Sequence, residues 1–121
     1  MLLNKLYTLV RQESENGKTK ALISFERGHP IFDGHFPGHP VVPGVCMIQI
    51  LREVMEIEVA QKLRITFGDN LKFLSIINPD EHKDVEVLIA YASDGSAWNI
   101  SATIAAGPIT FFKFKGAFEK A

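Results

Sequence analysis

Three of the chain's four histidines, His29, His35 and His39, fall within "HPIFDGHFPGHPVVPG", residues 29–44, which also holds four prolines and three glycines. Imidazole is the side chain whose ordinary pKa lies closest to neutrality, so it can both take and return a proton. Each proline fixes its own φ and restrains the residue before it, so this loop loses little entropy on ordering and can hold a ring in place. Pro43-Gly44 then opens a helix-like stretch. Its free N–H groups and positive dipole end suit an oxygen that gathers negative charge. A general base at His35 and an oxyanion donor at Gly44 thus stand nine residues apart.

A metal site is the competing use of His29, Asp33, His35 and His39. Pro37 and Gly38 break the regular helical presentation of the pair four apart, and the spacing matches no common zinc pattern, so neither metal nor cofactor is expected. Cys46, the only cysteine, sits in an apolar run and reads as core packing in a reducing compartment, which points to the cytoplasm. His82, in "DEHKD", reads as a turn residue. No phosphate loop, Gly-rich dinucleotide turn or serine elbow is present.

The elements that must position the loop follow from periodicity. "LLNKLYTLVRQE" and "KTKALISFE" flank Asn16-Gly17, a strong hairpin signal, although the first run also reads as a helix. "VEVLIAYA" and "AWNISATIAA" alternate in the manner of a second hairpin around residues 93–96, and "ITFFKFKGAFEK" continues as a strand after Gly107-Pro108. "ITFGDNLKFLSIINP" supplies one or two more strands. Residues 43–60 form the exception, a helix with Pro43 at its first turn. Val45, Cys46, Met47, Ile48, Ile50 and Leu51 make it apolar nearly all round, and so enclosed by other structure. Gln49, Arg52, Glu53 and Glu56 share one stripe, whose plain reading is a solvated face with an Arg52–Glu56 pair. One buried helix wrapped by an antiparallel sheet is the economical α+β architecture.

The bulk numbers agree. At 121 residues, 46% hydrophobic and 22% charged, the chain fits one globular domain, residues 1–121. A net charge of -1 offers no footprint for nucleic acid. The aromatics Phe111, Phe112, Phe114 and Phe118 at strand spacing read as core or interface. No apolar run reaches the ~18 residues needed to span a bilayer, and the first residues lack the pattern of a secretory signal, so no membrane is expected.

"HFPGHPVVPGVCMIQ", residues 35–49, resembles the signature H-F-P-G-x-P-x-x-P-G-V-x-x-x-E of the hotdog-fold 3-hydroxyacyl-[acyl-carrier-protein] dehydratases of type II fatty acid synthesis. It matches every defined position except the last. The resemblance implies the hotdog fold, a sheet wrapped around one long central helix. It also implies a lyase that eliminates water from a 3-hydroxyacyl thioester on acyl carrier protein or coenzyme A, and a homodimer or higher oligomer. By position, His35 is the implied catalytic base, oriented through its other ring nitrogen by the carbonyl of Val41. Gly44 gives its N–H to the thioester oxygen, and Phe36, Pro37, Gly38 and Pro43 support the loop.

The family's acid, contributed across the dimer interface, is replaced here by Gln49, and an amide cannot donate a proton as a carboxylic acid does. Glu53 stands where the family often has glutamine, so the two groups occur in swapped order. The expectation is that Glu53 supplies the proton, directly or through a water held by Gln49. Two alternatives remain: a weakened subunit that binds acyl thioesters or completes a heterodimer with another hotdog chain, and a thioesterase, which the missing carboxylate also disfavours.

Overall fold

The computed structural model describes all 121 residues, except for the side chain of Phe67. Strand β1 (Tyr7–Glu15) turns into β2 (Lys18–Phe25) through Asn16 and Gly17, at φ 48° and 76°. Two successive positive φ values give the twist that a two-residue hairpin needs. A short helix α1 (Ile31–Gly34) follows, then the long helix α2 (Gly44–Val59) and the strand β3 (Leu63–Phe73). The antiparallel run β4 (Asp84–Ser93), β5 (Ala97–Ala106) and β6 (Ile109–Lys120) completes the chain. The six strands form one antiparallel sheet in the order β1-β2-β4-β5-β6-β3.

Period-2 alternation decides which face of the sheet is buried. Thr19, Ala21, Ile23 and Phe25 of β2, Val85, Val87 and Ile89 of β4, and Ile100, Ala102 and Ile104 of β5 are buried. Phe112, Phe114 and Phe118 of β6 join them. Cys46, Met47, Ile50, Leu51, Val54 and Met55 of α2 belong to the same core cluster. Each fully buried branched or aromatic side chain contributes about 1.5–3 kcal/mol, so this cluster, rather than helix propensity, holds α2 in place.

Several expectations shift. β1 begins only at Tyr7, because Leu2–Leu6 forms a turn in which the N–H groups of Lys5 and Leu6 donate to the Leu2 carbonyl at 3.0 and 2.8 Å. The "ITFGDNLKF" region is one strand, bent by register shifts at Ile65/Phe67 and Gly68/Asn70. Pro43 caps α2 from outside, and α2 is not enclosed all round, since Val45 is 72% exposed. The stripe on α2 is not solvated throughout either. Glu53 is fully buried, and Glu56 leaves Arg52 to accept the Leu63 N–H at 2.8 Å, which fastens the helix end to β3. No helix among the described residues is long and apolar enough to cross a membrane.

Candidate active site

The loop around His35 is closed by its own backbone. The His35 N–H donates to Ile31 O at 3.0 Å, the Val41 N–H to His35 O at 2.9 Å, and Phe36 and His39 exchange N–H···O bonds of 3.0 and 2.9 Å around Pro37-Gly38. Gly38 sits at φ 75°, a turn geometry that favours glycine. The Val42 N–H reaches Ile77 O at 2.9 Å and ties the loop to the segment before β4. Four prolines cannot donate, so the few remaining N–H groups carry the closure.

Within this frame the His35 ring stacks on Phe36, with centroids 4.2 Å apart, and its Nδ1 lies 3.2 Å from Val41 O. A carbonyl only accepts, so Nδ1 carries the hydrogen, and neutral His35 therefore presents an unprotonated Nε2. A ring held in this way can act as a base through Nε2. His29 and His39 do not share this arrangement: His29 Nδ1 accepts the Ile31 N–H at 3.1 Å, and His39 is exposed. His82 lies edge-on to Phe111, with centroids 5.1 Å apart.

At the start of α2, Cys46 and Met47 give their N–H groups to Pro43 O at 3.0 and 3.2 Å, while the Gly44 N–H has no partner among the described residues. A Cβ at Gly44 would lie 2.8 Å from the Phe73 ring, so glycine lets this ring cover the helix start. Phe73 is itself 53% exposed and stacks on Phe112 at 4.7 Å. The Cys46 thiol is pushed up by burial and then by the Glu53 charge, which keeps it protonated and inert.

Further along α2 the structure joins Gln49 and Glu53 directly. Glu53 accepts four hydrogen bonds: from Leu2 N–H and Gln49 Nε2 on Oε2, and from Leu3 N–H and the Tyr7 hydroxyl on Oε1, at 2.8, 2.8, 2.8 and 2.9 Å. Burial, the largest single influence, pushes the Glu53 carboxyl up. The four donors outweigh it, and the group ends below its ordinary range. A buried carboxylate in this state is ionised at neutral pH and holds no proton to give. Burial and the Glu53 charge push the Tyr7 phenol far up, so Tyr7 remains a donor.

Because the folded pKa of Glu53 is depressed, the unfolded chain takes up its proton first as pH falls. The stability that Glu53 contributes is whole above the unfolded value of about 4.3 and is lost as pH drops through the folded value. The urea midpoint is expected to fall below about pH 4, with a shallower fall in Glu53→Gln. Equal slopes for the two proteins would contradict it.

The structure also brings in residues that the sequence did not single out: Leu2, Leu3 and Tyr7 on Glu53, and Phe73 beside Gly44. The sequence carried no local signal for them, because Glu53 stands in a polar stripe with Gln49, Arg52 and Glu56 that reads equally well as solvated. No hydrogen bond connects His35 with Gln49 or Glu53 among the described residues. A second carboxylate, Glu58, takes the Tyr91 hydroxyl at 2.5 Å and the Ser14 hydroxyl, and clamps the far end of α2 to β1 and β4. Among the described residues, no group of three or more His, Cys, Asp or Glu side chains is arranged to hold a metal.

A curled antiparallel sheet around one long helix, carrying a proline-bound histidine at the helix start, is the hotdog fold. The chain belongs to the ApeI-like family, whose model, described as ApeI dehydratase, matches residues 11–107. The 3-hydroxyacyl-[acyl-carrier-protein] dehydratase FabZ of Rickettsia canadensis is 28% identical over 81% of this chain and 76% of its own length. The FabZ of Rickettsia massiliae is 32% identical over 62% of this chain, and the match spans just over half, 57%, of that relative. Among solved structures, the dehydratase heterocomplex ApeI:P from Xenorhabdus doucetiae superposes with a TM-score of 0.74 at 16% identity, covering 93% of this chain and 96% of that one.

Proposed function

We propose that the chain eliminates water from a 3-hydroxyacyl thioester to give the 2-enoyl thioester. The observation that carries this reading is His35 Nδ1 on Val41 O, which leaves Nε2 free at a helix start whose Gly44 N–H is unpartnered. In the reaction, Nε2 takes a proton from C2 and charge gathers on the thioester oxygen, where the Gly44 N–H and the α2 dipole receive it. The C3–O bond then breaks, and the imidazolium returns its proton to the departing hydroxyl. Water leaves, and His35 is neutral again. Gln49 holds the hydroxyl during the transfer. One group doing both transfers needs no carboxylic acid, which is consistent with an ionised Glu53.

The site is completed by a second chain. β3 is an edge strand whose Ile65, Leu71 and Phe73 are 41, 40 and 53% exposed, and an exposed apolar edge calls for a covering partner. Pairing there brings His35 of one chain toward Gln49 of the next, in a homodimer or with a second hotdog chain. A heteromer is the state of the Xenorhabdus complex. Acyl carrier protein, named in the Rickettsia relatives, is the proposed carrier, coenzyme A the other, and the cytoplasm the proposed compartment. Gln49 favours a second reading, a binding subunit that relies on an intact partner.

The test is to offer the purified chain 3-hydroxyacyl and enoyl thioesters of several lengths. Dehydration creates the absorbing enoyl thioester, hydrolysis would release free thiol, and a binding subunit does neither. Gly44→Ala is expected to keep the fold and lower turnover about 10- to 100-fold, because its methyl group would stand 2.8 Å from the Phe73 ring and displace it at the helix start. Unchanged turnover in the folded variant would remove Gly44 from the site.

A further inference from the structure

The Leu2–Tyr7 segment, far from the histidine loop in sequence, has no part in the reading above. It forms a turn closed by Asn4 N–H on Tyr7 O at 2.7 Å and Leu6 N–H on Leu2 O at 2.8 Å, with Asn4 at φ 65°. This turn aims two consecutive N–H groups, Leu2 and Leu3, at one carboxylate, and Tyr7 adds its hydroxyl from the start of β1. An ionised carboxyl offers about four acceptor positions, and Glu53 uses two on each oxygen, so nothing about its orientation is left free.

The fourth donor is Gln49. A carboxylate only accepts, so the atom that Gln49 turns toward Glu53 is Nε2, and the amide oxygen faces the other way. Val45, Gln49 and Glu53 lie four apart along one line of α2, running from 72% exposed at Val45 to fully buried at Glu53. Gln49 Oε1 is therefore directed away from the buried Glu53 carboxylate and keeps its lone pairs for another donor. Were the amide reversed, its oxygen would stand against a charged oxygen in a buried site, which like-charge repulsion forbids.

We propose that the Leu2–Tyr7 turn and Glu53 are positioning elements that lock the Gln49 amide with its oxygen forward, as a hydrogen-bond acceptor for the hydroxyl of a 3-hydroxyacyl substrate. The inference rests on the dehydration reading for the identity of that hydroxyl, and on the hydrogen bonds alone for the lock. Accepting the hydroxyl hydrogen turns an oxygen lone pair outward to receive the proton from His35, so an amide serves where a carboxylic acid is absent. Glu53 acts through Gln49 and touches no substrate.

Two measurements on the whole chain separate the lock from the reaction. In the side-chain amide spectrum, the Gln49 Nε2 protons are expected to show one proton shifted downfield and slow exchange of the pair. The shift should shrink in Tyr7→Phe and collapse in Glu53→Gln. In turnover, Glu53→Gln is expected to lower kcat about 10- to 100-fold with KM nearly unchanged. The double variant Gln49→Glu/Glu53→Gln, which re-forms the pair in reverse, should recover part of the loss. A purely structural role for Glu53 would leave kcat and the Gln49 signals of the folded variants as in the wild type, and that outcome overturns the proposal. If Glu53→Gln does not fold, the milder Tyr7→Phe decides through the same amide signals, whose invariance overturns the lock. An inert wild type with the expected amide spectrum would retain the lock and sink the dehydration reading instead.

Discussion

Gln49→Glu is expected to speed dehydration of a 3-hydroxyacyl thioester by about 100-fold or more, the usual range for general acid help being about 100- to 10,000-fold. The new carboxyl would stand where the Gln49 amide now donates, 2.8 Å from Glu53 Oε2. Two carboxyls this close cannot both ionise, and the proton goes to the one with fewer donors. Glu53 keeps Leu2, Leu3 and Tyr7, so it stays charged and drives the pKa of the new neighbour up. The variant would thus hold a protonated acid at neutral pH on the helix face that presents Gln49. Initial rates followed by enoyl absorbance across pH check this directly: a gain should come with a new fall in rate on the alkaline side, where that proton is lost. No gain in a folded variant would mean that residue 49 does not meet the leaving hydroxyl.

His35→Ala carries the opposite expectation. Removing the ring that is braced on Val41 O before the α2 start, the proposed base, should lower kcat about 100- to 10,000-fold. Exchange of the C2 hydrogen with deuterated solvent should stop with it. The ring is only half-buried and makes one side-chain hydrogen bond, and the loop is closed by backbone bonds that alanine keeps, so the melting temperature should move little. Persistent C2 exchange in the variant would assign proton removal to another group.

Much of this architecture was legible from local pattern. Asn16-Gly17 marked its hairpin because positive φ at two adjacent residues is a local demand that few residue pairs meet. The alternation in 85–91 and 98–104 marked which side chains face inward, since a strand's period is set by the backbone alone. The short α1 was not legible: four residues, "IFDG", carry no periodicity, and their turn is stabilised by His35 and His29 from outside it. The turn at Leu2–Leu6 likewise escaped notice, because its reason for forming is a carboxylate about fifty residues away.

The site divides along the same line. The residues of "HFPGHPVVPG" by themselves determined that a histidine is held on a stiff loop before a helix start, because prolines act on their own φ and on their immediate neighbours wherever the rest of the chain lies. Whether Glu53 could give a proton was not a local matter. The same glutamate four residues beyond Gln49 is an acid if left dry and alone, and a fixed carboxylate if donors reach it. Leu2, Leu3 and Tyr7 reach it only when β1 docks beside α2. Protonation answers to the sum of burial and hydrogen bonds in space, so only the tertiary structure could decide it.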